Sequence, residues 1–496
     1  MKFLLDTNIV LPLEPTGPGG IEPNSALAAE LMRIAYGAGH DIFIHPTLRV
    51  DVARDRNAQR LAIREVLLGK YRQLPFPPAP TPQLLEAFGA PGEGTNDWVD
   101  LQHVAAVAAD AIDYLISEDA GIHRKARRVG LERRILYLAD AVAVVRGLLP
   151  TPPQPPPAVE PVKAYALPLD DPFWNSLRGD YPGFDKWLQG CRLQHRDAWV
   201  IWGPHREIAG ACLLKDERGP ELGMEGKILK LATFKVSESH RGFRYGELLL
   251  KAAFETARAG EYDWIYVTVF EKQAELLETF ENFGFDEWQE RKANGELVLR
   301  KQLRPNNADR LLPAIEFHRR FGPYLVKADG VAAFVVPIQP RFHRLLFPDA
   351  EAQLSLSAGA HPFGNAIRKA YLCHAQIRQI EPGAILLFYR SETERSVRVV
   401  GVAEDTLVSD NAAAIARFVG TRTVYALRDI EEMARQSVLA ILFRQARIVS
   451  PPMPLTQLQQ VGVLRQPPQS IMRVPEATLP WVADLVEWTG PAGPPS

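Results

Sequence analysis

The sequence predicts a multidomain α/β protein with about three domains. Its 496 residues are too many for one ordinary hydrophobic core. Apolar strand-like runs alternate with runs of helical period along most of the chain, which is typical of sheets that are covered by helices. Residues 150–161 include seven prolines in twelve positions, and this composition predicts an extended linker. A softer boundary near residue 303, where a charged strand ends in turn-forming residues, divides the remainder.

The composition excludes several classes of protein. Hydrophobic residues make up 46% of the chain and charged residues 23%, as in a soluble globular protein. A net charge of −2 argues against a general nucleic-acid coating protein. The chain has no long apolar run, and Asp6 comes too early for a signal peptide, so we expect a cytoplasmic protein without a membrane partner. Cys191, Cys212 and Cys373 are too widely spaced for a metal-ligand or disulfide pattern.

Acidic residues follow the apolar strands of the first region, 1–149. An opening strand ends on Asp6, and a later one, 113–117, leads into Asp119. Because the carboxyl ends of parallel strands meet at one edge of a sheet, we expect these two side chains to lie close together. A group of carboxylates repels itself unless cations neutralise it. Mg²⁺ or Mn²⁺ would do so and would support phosphodiester hydrolysis.

This region resembles the PIN domain family of metal-dependent ribonucleases. The matching motifs are Asp6-Thr7-Asn8, an acid in the helix after His45-Pro46, Asn96-Asp97 through Asp100, and Leu115-Ile116-Ser117-Glu118-Asp119. The resemblance implies a PIN-like α/β/α domain that cleaves RNA, such as tRNA or mRNA. It implies that Asp6, Asp51, Asp100 and Asp119 are catalytic and that Asp6, Asp97, Asp100 and Asp119 hold Mg²⁺ or Mn²⁺.

Two alternatives stay open for these acids. The family's second acid is more often Glu, so the shorter Asp51 departs from the pattern, and Asp55 is the other candidate. Taken singly, Asp6 could end a strand, Asp97 could cap a helix, and Asp100 could be a solvated acid of the first helical turn.

A strand, a glycine-bearing turn and a helix follow one another in the middle region, 162–303. The strand spans 228–236 and the helix 247–258, with a polar turn between them. The unpaired N–H groups and the dipole of a helix N-terminus suit a phosphate or pyrophosphate. Arg241 and Arg244 add charged donors.

The turn resembles the pyrophosphate motif Arg/Gln-x-x-Gly-x-Gly/Ala of the GNAT family of N-acetyltransferases. It reads Arg241-Gly242-Phe243-Arg244-Tyr245-Gly246, so that Arg244 stands where the motif's first glycine is usual. A strand at 264–270 and a helical run at 273–283, stopped by Gly284-Phe285, resemble the family's next two elements. The resemblance implies a GNAT-like α/β domain with acetyl-CoA as cofactor. The implied cofactor-binding residues are Val236, Arg241, Gly242, Arg244, Tyr245 and Gly246.

The acid expected from the GNAT resemblance is missing. The family commonly carries a tyrosine on its second cofactor helix, and the corresponding residue here is Phe280. A phenyl ring cannot protonate a leaving thiolate, so another group does this or the domain binds cofactor without fast turnover. Glu238 and His240 are alternative bases, and Tyr245 and Tyr266 are alternative acids.

The third region, 304–496, combines several short strands with helices. Residues 380–389 and 399–404 resemble PUA-like modules of the ASCH and EVE type, which implies an α+β barrel that binds RNA. Between residues 304 and 450 there are 19 lysines and arginines against 14 acids, the imbalance that phosphate contact requires. The basic and aromatic segment 363–371 could contact RNA or could be an ordinary amphipathic helix.

The predicted organisation is a PIN-like domain (1–149), a linker (150–161), a GNAT-like domain (162–303) and a PUA-like domain (304–496). The predicted function is metal-dependent RNA cleavage, with the other modules selecting or regulating the substrate. One alternative is an N-acetyltransferase whose PIN-like domain is degenerate or only binds. Another is an acetyl-CoA-responsive, RNA-binding adaptor without enzymatic activity. The oligomeric state is not indicated by the sequence.

Overall fold

The computed structural model describes residues 1–16, 22–149, 158–218, 223–288, 291–323, 325–350, 367–392 and 394–487. They form three sheets in two compact units. The first unit comprises Met1–Thr151, Asn411–Thr421 and Tyr425–Glu432, and the second Pro152–Asp410, Arg422–Val424 and Met433–Ser496. The multidomain α/β prediction is confirmed, although the units are not contiguous in sequence. Within these ranges, no helix has the length and apolar character needed to cross a membrane.

The first sheet is parallel throughout, in the order β3-β2-β1-β4-β5. Its strands are β1 Lys2–Leu5, β2 Asp41–Ile44, β3 Arg72–Gln73, β4 Tyr114–Ile116 and β5 Ile135–Leu136. The helices that connect or follow them are α1 Thr7–Leu13, α2 Ser25–Gly37, α3 Leu48–Val52, α4 Ala58–Leu68, α5 Pro82–Phe88, α6 Asn96–Ala108, α7 Ala120–Arg128 and α8 Leu138–Leu148. Parallel strands require crossovers, so the alternation of strands and helices confirms the predicted parallel-sheet α/β region.

The second sheet has seven strands in the order β11-β12-β10-β9-β8-β7-β6, and only β9 and β10 pair in parallel. The strands are β6 Val159–Lys163, β7 Asp197–Trp202, β8 Ile208–Arg218, β9 Lys227–Val236, β10 Trp264–Val269, β11 Asp286–Glu287 and β12 Leu297–Gln302. The helices are α9 Asn175–Asp180, α10 Phe184–Leu193, α11 Tyr245–Ala259 and α12 Ala274–Asn282. Because β6 begins at Val159, the last residues of the expected linker belong to this sheet. Residues 150–157 lie outside the described ranges.

The third sheet is mixed, in the order β14-β17-β16-β15-β13-β18. Its strands are β13 Ala333–Ile338, β14 Arg368–Cys373, β15 Ile385–Arg390, β16 Ser396–Ser409, β17 Val438–Pro454 and β18 Met472–Arg473. The remaining helices are α13 Ala314–Phe321, α14 Pro340–Leu346, α15 Ala412–Val419, α16 Leu427–Met433, α17 Leu455–Gln460 and α18 Leu479–Glu487.

The third region departs from two expectations. In the described residues its strand order runs from β14 to β18 without returning, so the expected closed barrel is not observed. The helical interpretation of residues 363–371 is also wrong, because Arg368–Cys373 pairs with β17 as a strand. The tertiary pairing of these residues overrides their local helical pattern. Residues 363–366 lie outside the described ranges.

The first unit includes a helix from far along the chain. The hydroxyl of Tyr114 donates to the carbonyl oxygens of Ala416 and Arg417, at 3.4 and 3.2 Å. The Arg417 guanidinium pairs with Asp113 at 2.7 Å. Helix α15 therefore packs beside β4 of the first sheet, although it lies between two strands of the third sheet in sequence.

Candidate functional site

The turn between β9 and α11 uses left-handed backbone at two positions. A short 3₁₀ turn at Glu238–His240 follows the strand, and the next residues include Gly242 with φ +82°. Arg244 has φ +59°, immediately before the first residue of α11. This left-handed conformation costs a residue with a side chain roughly 1–2 kcal/mol. Arg244 thus adopts a left-handed conformation, which glycine takes without the steric cost of a Cβ.

Two further residues make the turn suitable for a phosphate. Arg241 forms an ion pair with Glu275 of α12, which holds its guanidinium beside the turn. A Cβ added at Gly246 would meet only the ring of Phe234, at an ordinary 3.8 Å. Packing therefore does not require glycine at position 246. The missing side chain instead leaves the first turn of α11 open to close approach by a ligand.

The β9 and β10 strands separate next to this turn. Their parallel register ends at the Leu231–Val267 pair. Strand β9 nevertheless continues to Val236, where it still pairs with Gly210 of β8. Within the described pairing, the last residues of β9 therefore pair with β8 on one edge, and β10 does not pair with their other edge. An extended ligand with amide groups could pair along such an edge.

Phe280 lies in the hydrophobic core and supplies no proton. Its ring is fully buried and contacts Phe234 and Phe285, with ring centroids 5.1 and 4.9 Å apart. Tyr266 is also committed elsewhere, because its hydroxyl donates to Glu217 at 2.7 Å. Its strand position is opposite Lys230, in the part of β10 that is still paired with β9. The structure thus removes Phe280 and disfavours Tyr266 as the acid.

The remaining alternatives cluster around the turn. The ring of Tyr245 stacks near His240, and burial raises the pKa of the Tyr245 phenol. Burial lowers the pKa of His240, which favours the neutral imidazole that a base requires. His240 Nδ1 lies 3.0 Å from the Ser239 hydroxyl. Glu238 is at the start of the same 3₁₀ turn.

A tyrosine and a glutamate that no sequence motif indicated meet at the end of β10. The Tyr181 hydroxyl, from the loop between α9 and α10, donates to Glu296 Oε1 at 2.5 Å. The Tyr181 ring is 5.2 Å from that of Phe270, the residue directly after β10. Asn294 donates to the second Glu296 oxygen at 2.9 Å. Tyr181 and Glu296 are 115 positions apart, and the only local signal was the Tyr181-Pro182-Gly183 turn.

The helix that follows the turn is anchored on its buried side. Glu247, in the first turn of α11, accepts hydrogen bonds from the backbone N–H groups of Ile367 at 2.7 Å and Arg368 at 3.3 Å. The guanidinium of Arg244 is 3.4 Å from the same carboxylate. Ile367 packs in the hydrophobic core of the second sheet. The Arg244 side chain is therefore directed to Glu247, while its backbone forms the turn.

A buried glutamate of β16 is surrounded by arginines. Glu404 accepts from Arg368 at 3.0 and 3.1 Å and from Arg444 at 2.7 Å, and Arg422 is 3.3 Å away. Arg444 also donates to the carbonyl of Asn282, the last residue of α12. Burial by itself would raise the pKa of Glu404, but these arginines hold that pKa well below its usual range. We call Glu404, Arg368, Arg422 and Arg444 the arginine cluster.

In the first unit, Asp6 is held by short hydrogen bonds. It accepts from the Thr7 N–H at 2.7 Å, the Asn8 amide at 2.8 Å and the Ser117 hydroxyl at 2.6 Å. His103 Nδ1 lies 3.4 Å from Asp6 Oδ1, the oxygen that also accepts from the Thr7 N–H. Burial would raise the pKa of Asp6, but His103 and these donors together lower it. Asp6 is therefore a fixed, ionised carboxylate.

Asp100 experiences the opposite balance. Burial and then the charges of Asp6 and Asp119 raise its pKa to about 7. The structure therefore brings Asp6, Asp100 and Asp119 within electrostatic reach of one another. We call these three residues the carboxylate cluster. His103 and then Lys125 oppose this rise in the pKa of Asp100 only in part.

The other predicted acids are partly committed to neighbours. Asp51 accepts from the Thr7 hydroxyl and pairs with Arg54, both at 2.9 Å. Asp55 pairs instead with Arg60 and Arg64. Asp51 is thus the acid connected to the residue after Asp6, which favours it over Asp55.

Asp97 and Asp119 also have structural partners. Asp97 pairs with Lys125. Asp119 accepts from the Gly121 and Ile122 N–H groups as the N-cap of α7.

The predicted metal site is not assembled. Among the described residues, no group of three His, Cys, Asp or Glu side chains is placed to hold a metal ion. The physical reason is visible at Asp6 and Asp119, whose oxygens accept hydrogen bonds from the chain itself. The mutual repulsion of the carboxylates is compatible with a cation, but their geometry supplies no ligand set for Mg²⁺ or Mn²⁺.

Comparison with known proteins agrees with the geometry of the middle region. Residues 163–285 match the family model "Acetyltransferase (GNAT) family", so this region is a GNAT acetyltransferase domain. No curated protein matches the chain.

Three solved structures illustrate the range of similarity. An acetyltransferase of the GNAT family from Staphylococcus aureus Mu50 is 16% identical, with 30% of this chain and 100% of that chain covered and a TM-score of 0.23. The IAA acetyltransferase from Bacillus cereus is 18% identical, with 29% and 99% covered and a TM-score of 0.23. The ASCH protein from Zymomonas mobilis is 15% identical, with 31% and 96% covered and a TM-score of 0.25.

Proposed function

We propose that this protein is an acetyl-CoA-dependent N-acyltransferase that acts through residues 163–285. The observation that carries this proposal is the left-handed backbone of Arg244 at the start of α11, in the region that matches the acetyltransferase family. Residues held in sparsely populated backbone conformations cluster at active sites and ligand-binding turns. The shape of this turn exposes the N–H groups of a helix N-terminus, which is where a pyrophosphate binds.

Each predicted cofactor residue has a role in this proposal. The backbone of Gly242, Arg244 and Tyr245 forms the turn, and Gly246 leaves room for the phosphates. The Arg241 guanidinium adds positive charge beside them. Val236 ends the uncovered edge of β9, where the amide arm of the cofactor would lie. Acetyl-CoA would supply the acetyl thioester.

Gly246→Asp offers a sharp test in the full-length chain. An acid in the first helical turn is favourable for the helix dipole, so the variant should fold as well as the natural protein. Its charge would repel a pyrophosphate, and calorimetry should show acetyl-CoA affinity reduced by about tenfold or more. The matched control is Gly190→Asp in α10, where a Cβ meets no atom within 4 Å. The proposal fails if the natural protein does not bind acetyl-CoA, or if Gly246→Asp binds it equally well.

A second activity, cleavage of RNA at the carboxylate cluster, is favoured by one observation. Asp100 has its pKa raised to about 7 by burial and by the charges of Asp6 and Asp119, which come from the ends of different strands. Converging acids with perturbed pKa values are typical of functional sites. In this proposal Asp6, Asp51, Asp100 and Asp119 are the catalytic residues. Asp97 is not one of them.

The nuclease proposal is tested with a tRNA and an mRNA fragment in buffers containing Mg²⁺, Mn²⁺ or a chelator. Asp6→Asn should abolish any cleavage, whereas Asp110→Asn, which removes an exposed partner of Arg134, should not. Cleavage that survives Asp6→Asn, or that is absent with both RNAs and both ions, counts against it. RNA reading by residues 304–496 remains a related proposal, supported by the excess of basic residues between 304 and 450.

A further inference from the structure

Three elements of the second unit meet where β10 ends. Tyr181 comes from the loop between α9 and α10, Glu296 from the chain just before β12, and Phe270 from the position after β10. The Tyr181 hydroxyl donates to Glu296 at 2.5 Å, and its ring lies beside that of Phe270. Glu296 is only 7% exposed. A half-buried phenol and a buried carboxylate in direct contact can pass a proton between them.

This pair lies beside the end of β10, the strand that separates from β9. The β9–β10 register ends at Val267, three residues before Phe270. If the acetyl-CoA arm lies along the uncovered edge of β9, its thioester enters the split that Phe270 borders. The domain also needs such a pair, because the phenyl ring of Phe280 occupies the place of the family's usual acid and is fully buried.

We propose that Tyr181 and Glu296 are the acid–base pair for transfer of the acetyl group to an amine. This inference rests on the proposed acyltransferase function and adds the residues that would move the protons. Position 280, where the family carries its usual acid, holds a phenylalanine, and the pair comes instead from the loop between α9 and α10 and from the chain just before β12.

The proton balance is complete without any other reactant. The amine nitrogen attacks the thioester carbonyl carbon, and Glu296 takes the proton that the nitrogen loses. As the bond between carbon and sulfur breaks, the sulfur takes the Tyr181 phenolic proton. The proton on Glu296 then returns to the Tyr181 oxygen across their hydrogen bond. The products are an amide and free coenzyme A, and both side chains regain their starting states.

The electrostatics suit this order of events. Burial and the hydrogen bond to Glu296 raise the pKa of Tyr181, so the phenol stays protonated at rest. When Glu296 becomes neutral by accepting the amine proton, the negative charge next to the phenol disappears. The pKa of Tyr181 then falls, and the phenol becomes a better acid at the moment when the thiolate leaves.

The test uses the full-length chain, acetyl-CoA and hydroxylamine as a small probe nucleophile. Calorimetry measures acetyl-CoA binding, and release of the coenzyme A thiol measures turnover over a range of pH. Tyr181→Phe keeps the ring against Phe270, Glu296→Gln keeps the shape of the carboxylate, and the third variant combines the two. The control is Tyr165→Phe, since Tyr165 is 52% exposed.

Both single variants should bind acetyl-CoA within about twofold of the natural protein, because neither touches the turn. Their kcat should fall by about 100-fold or more. The double variant should be no slower than the singles, because the two groups act as a unit. Glu296→Gln should also lose the limb of the pH profile that reports the base, a change that merely structural damage would not produce.

Each other outcome is decisive. A chain that does not bind acetyl-CoA overturns the proposed function and this pair together. A chain that binds it but releases no thiol in the presence of hydroxylamine overturns the pair alone. So does turnover by Tyr181→Phe within about threefold of the natural rate, or an equal loss in Tyr165→Phe.

Discussion

Buried charge is arranged in opposite ways in the two units. In the carboxylate cluster, Asp6, Asp100 and Asp119 bring like charges together, and the pKa of Asp100 rises to about 7. In the arginine cluster, Glu404 has three guanidinium partners, and the pKa of this glutamate is held well below its usual range. The same kind of side chain is thus shifted in opposite directions by its neighbours.

This contrast distinguishes the carboxylate cluster, which can bind a cation or a proton, from the arginine cluster, which stabilises the fold. Like charges that remain unbalanced in a folded protein cost free energy and respond to pH or to a cation. Arginines satisfy the hydrogen-bonding capacity of Glu404. We therefore expect its charge to change little with pH and expect it not to bind a cation. Its removal, in contrast, would leave several buried cations without their partner. We therefore expect the arginine cluster to matter for stability and the carboxylate cluster to matter for pH dependence.

Glu404→Gln should have the largest effect on stability. The change leaves Arg368, Arg422 and Arg444 buried around a neutral amide, and breaking a buried pair in this way costs about 3–5 kcal/mol. Urea unfolding of the second unit should show this loss.

The matched control for this change is Glu394→Gln. Glu394 also has arginine partners, Arg390 and Arg398, but its side chain is 24% exposed, so we expect a loss of no more than about 1 kcal/mol. Equal losses in the two variants would remove the distinction between the buried cluster and an ordinary surface pair.

Asp100→Asn should remove a pH dependence. The folded pKa of Asp100 is about 7, above its ordinary value of 3.8, so between these values the folded chain holds a proton that the unfolded chain releases. The contribution of Asp100 is therefore greatest at and below pH 4 and is lost as the pH rises through 7. Because the group is partly exposed, we expect a loss of about 2 kcal/mol after allowance for solvent screening.

The measurement is the free energy of unfolding at pH 4.5 and pH 7.5 in the presence of a chelator. Asp100→Asn should be more stable than the natural protein at pH 7.5, and the gap should narrow at pH 4.5. A gap that is the same at both values would show that Asp100 is not shifted by its neighbours.

Features with a local sequence signal were predicted well. Asp6 and Asp119 follow apolar strands, and the alternation of strands with helices predicted that both residues lie at one edge of a parallel sheet. The glycines within residues 241–246, together with the helical pattern that follows them, predicted a turn at this position.

Features that depend on distant partners had no such signal. The residues of the arginine cluster come from positions 368, 404, 422 and 444, and the contact of Tyr181 with Glu296 joins residues 115 positions apart. The predicted metal ligands are not brought together among the described residues for a related reason. The sequence placed the acids together but could not show that Thr7, Ser117 and Gly121 donate hydrogen bonds to their oxygens.

Arg241→Ala tests whether the positive charge of Arg241 contributes to binding of acetyl-CoA at the turn. Arg241 is paired with Glu275 near the protein surface, so its loss should leave stability almost unchanged. If its guanidinium contacts the pyrophosphate, acetyl-CoA affinity should fall by about tenfold, the usual effect of one charged hydrogen bond. Calorimetry on the full-length chain measures this change. Arg258→Ala, at the other end of α11 and paired with Glu255, is the control and should bind normally. Equal affinity in both variants would contradict the assignment of Arg241.

Arg244→Gly should have the smallest effect on stability and on acetyl-CoA affinity. It separates the role of the Arg244 backbone in the turn from the role of its side chain, which contacts Glu247. Glycine relieves the left-handed backbone by roughly 1 kcal/mol, whereas loss of the contact to Glu247 costs a similar amount, about 0.5–1 kcal/mol. The free energy of unfolding should therefore change by less than about 1 kcal/mol. Because the side chain is directed to Glu247, its removal should leave acetyl-CoA affinity equal or raise it about twofold, through closer approach of the backbone to the phosphates. A large loss of affinity in calorimetry would show that the guanidinium itself contacts the cofactor. Arg244 would then belong with Arg241 as a ligand residue and not with the buried charges that anchor α11.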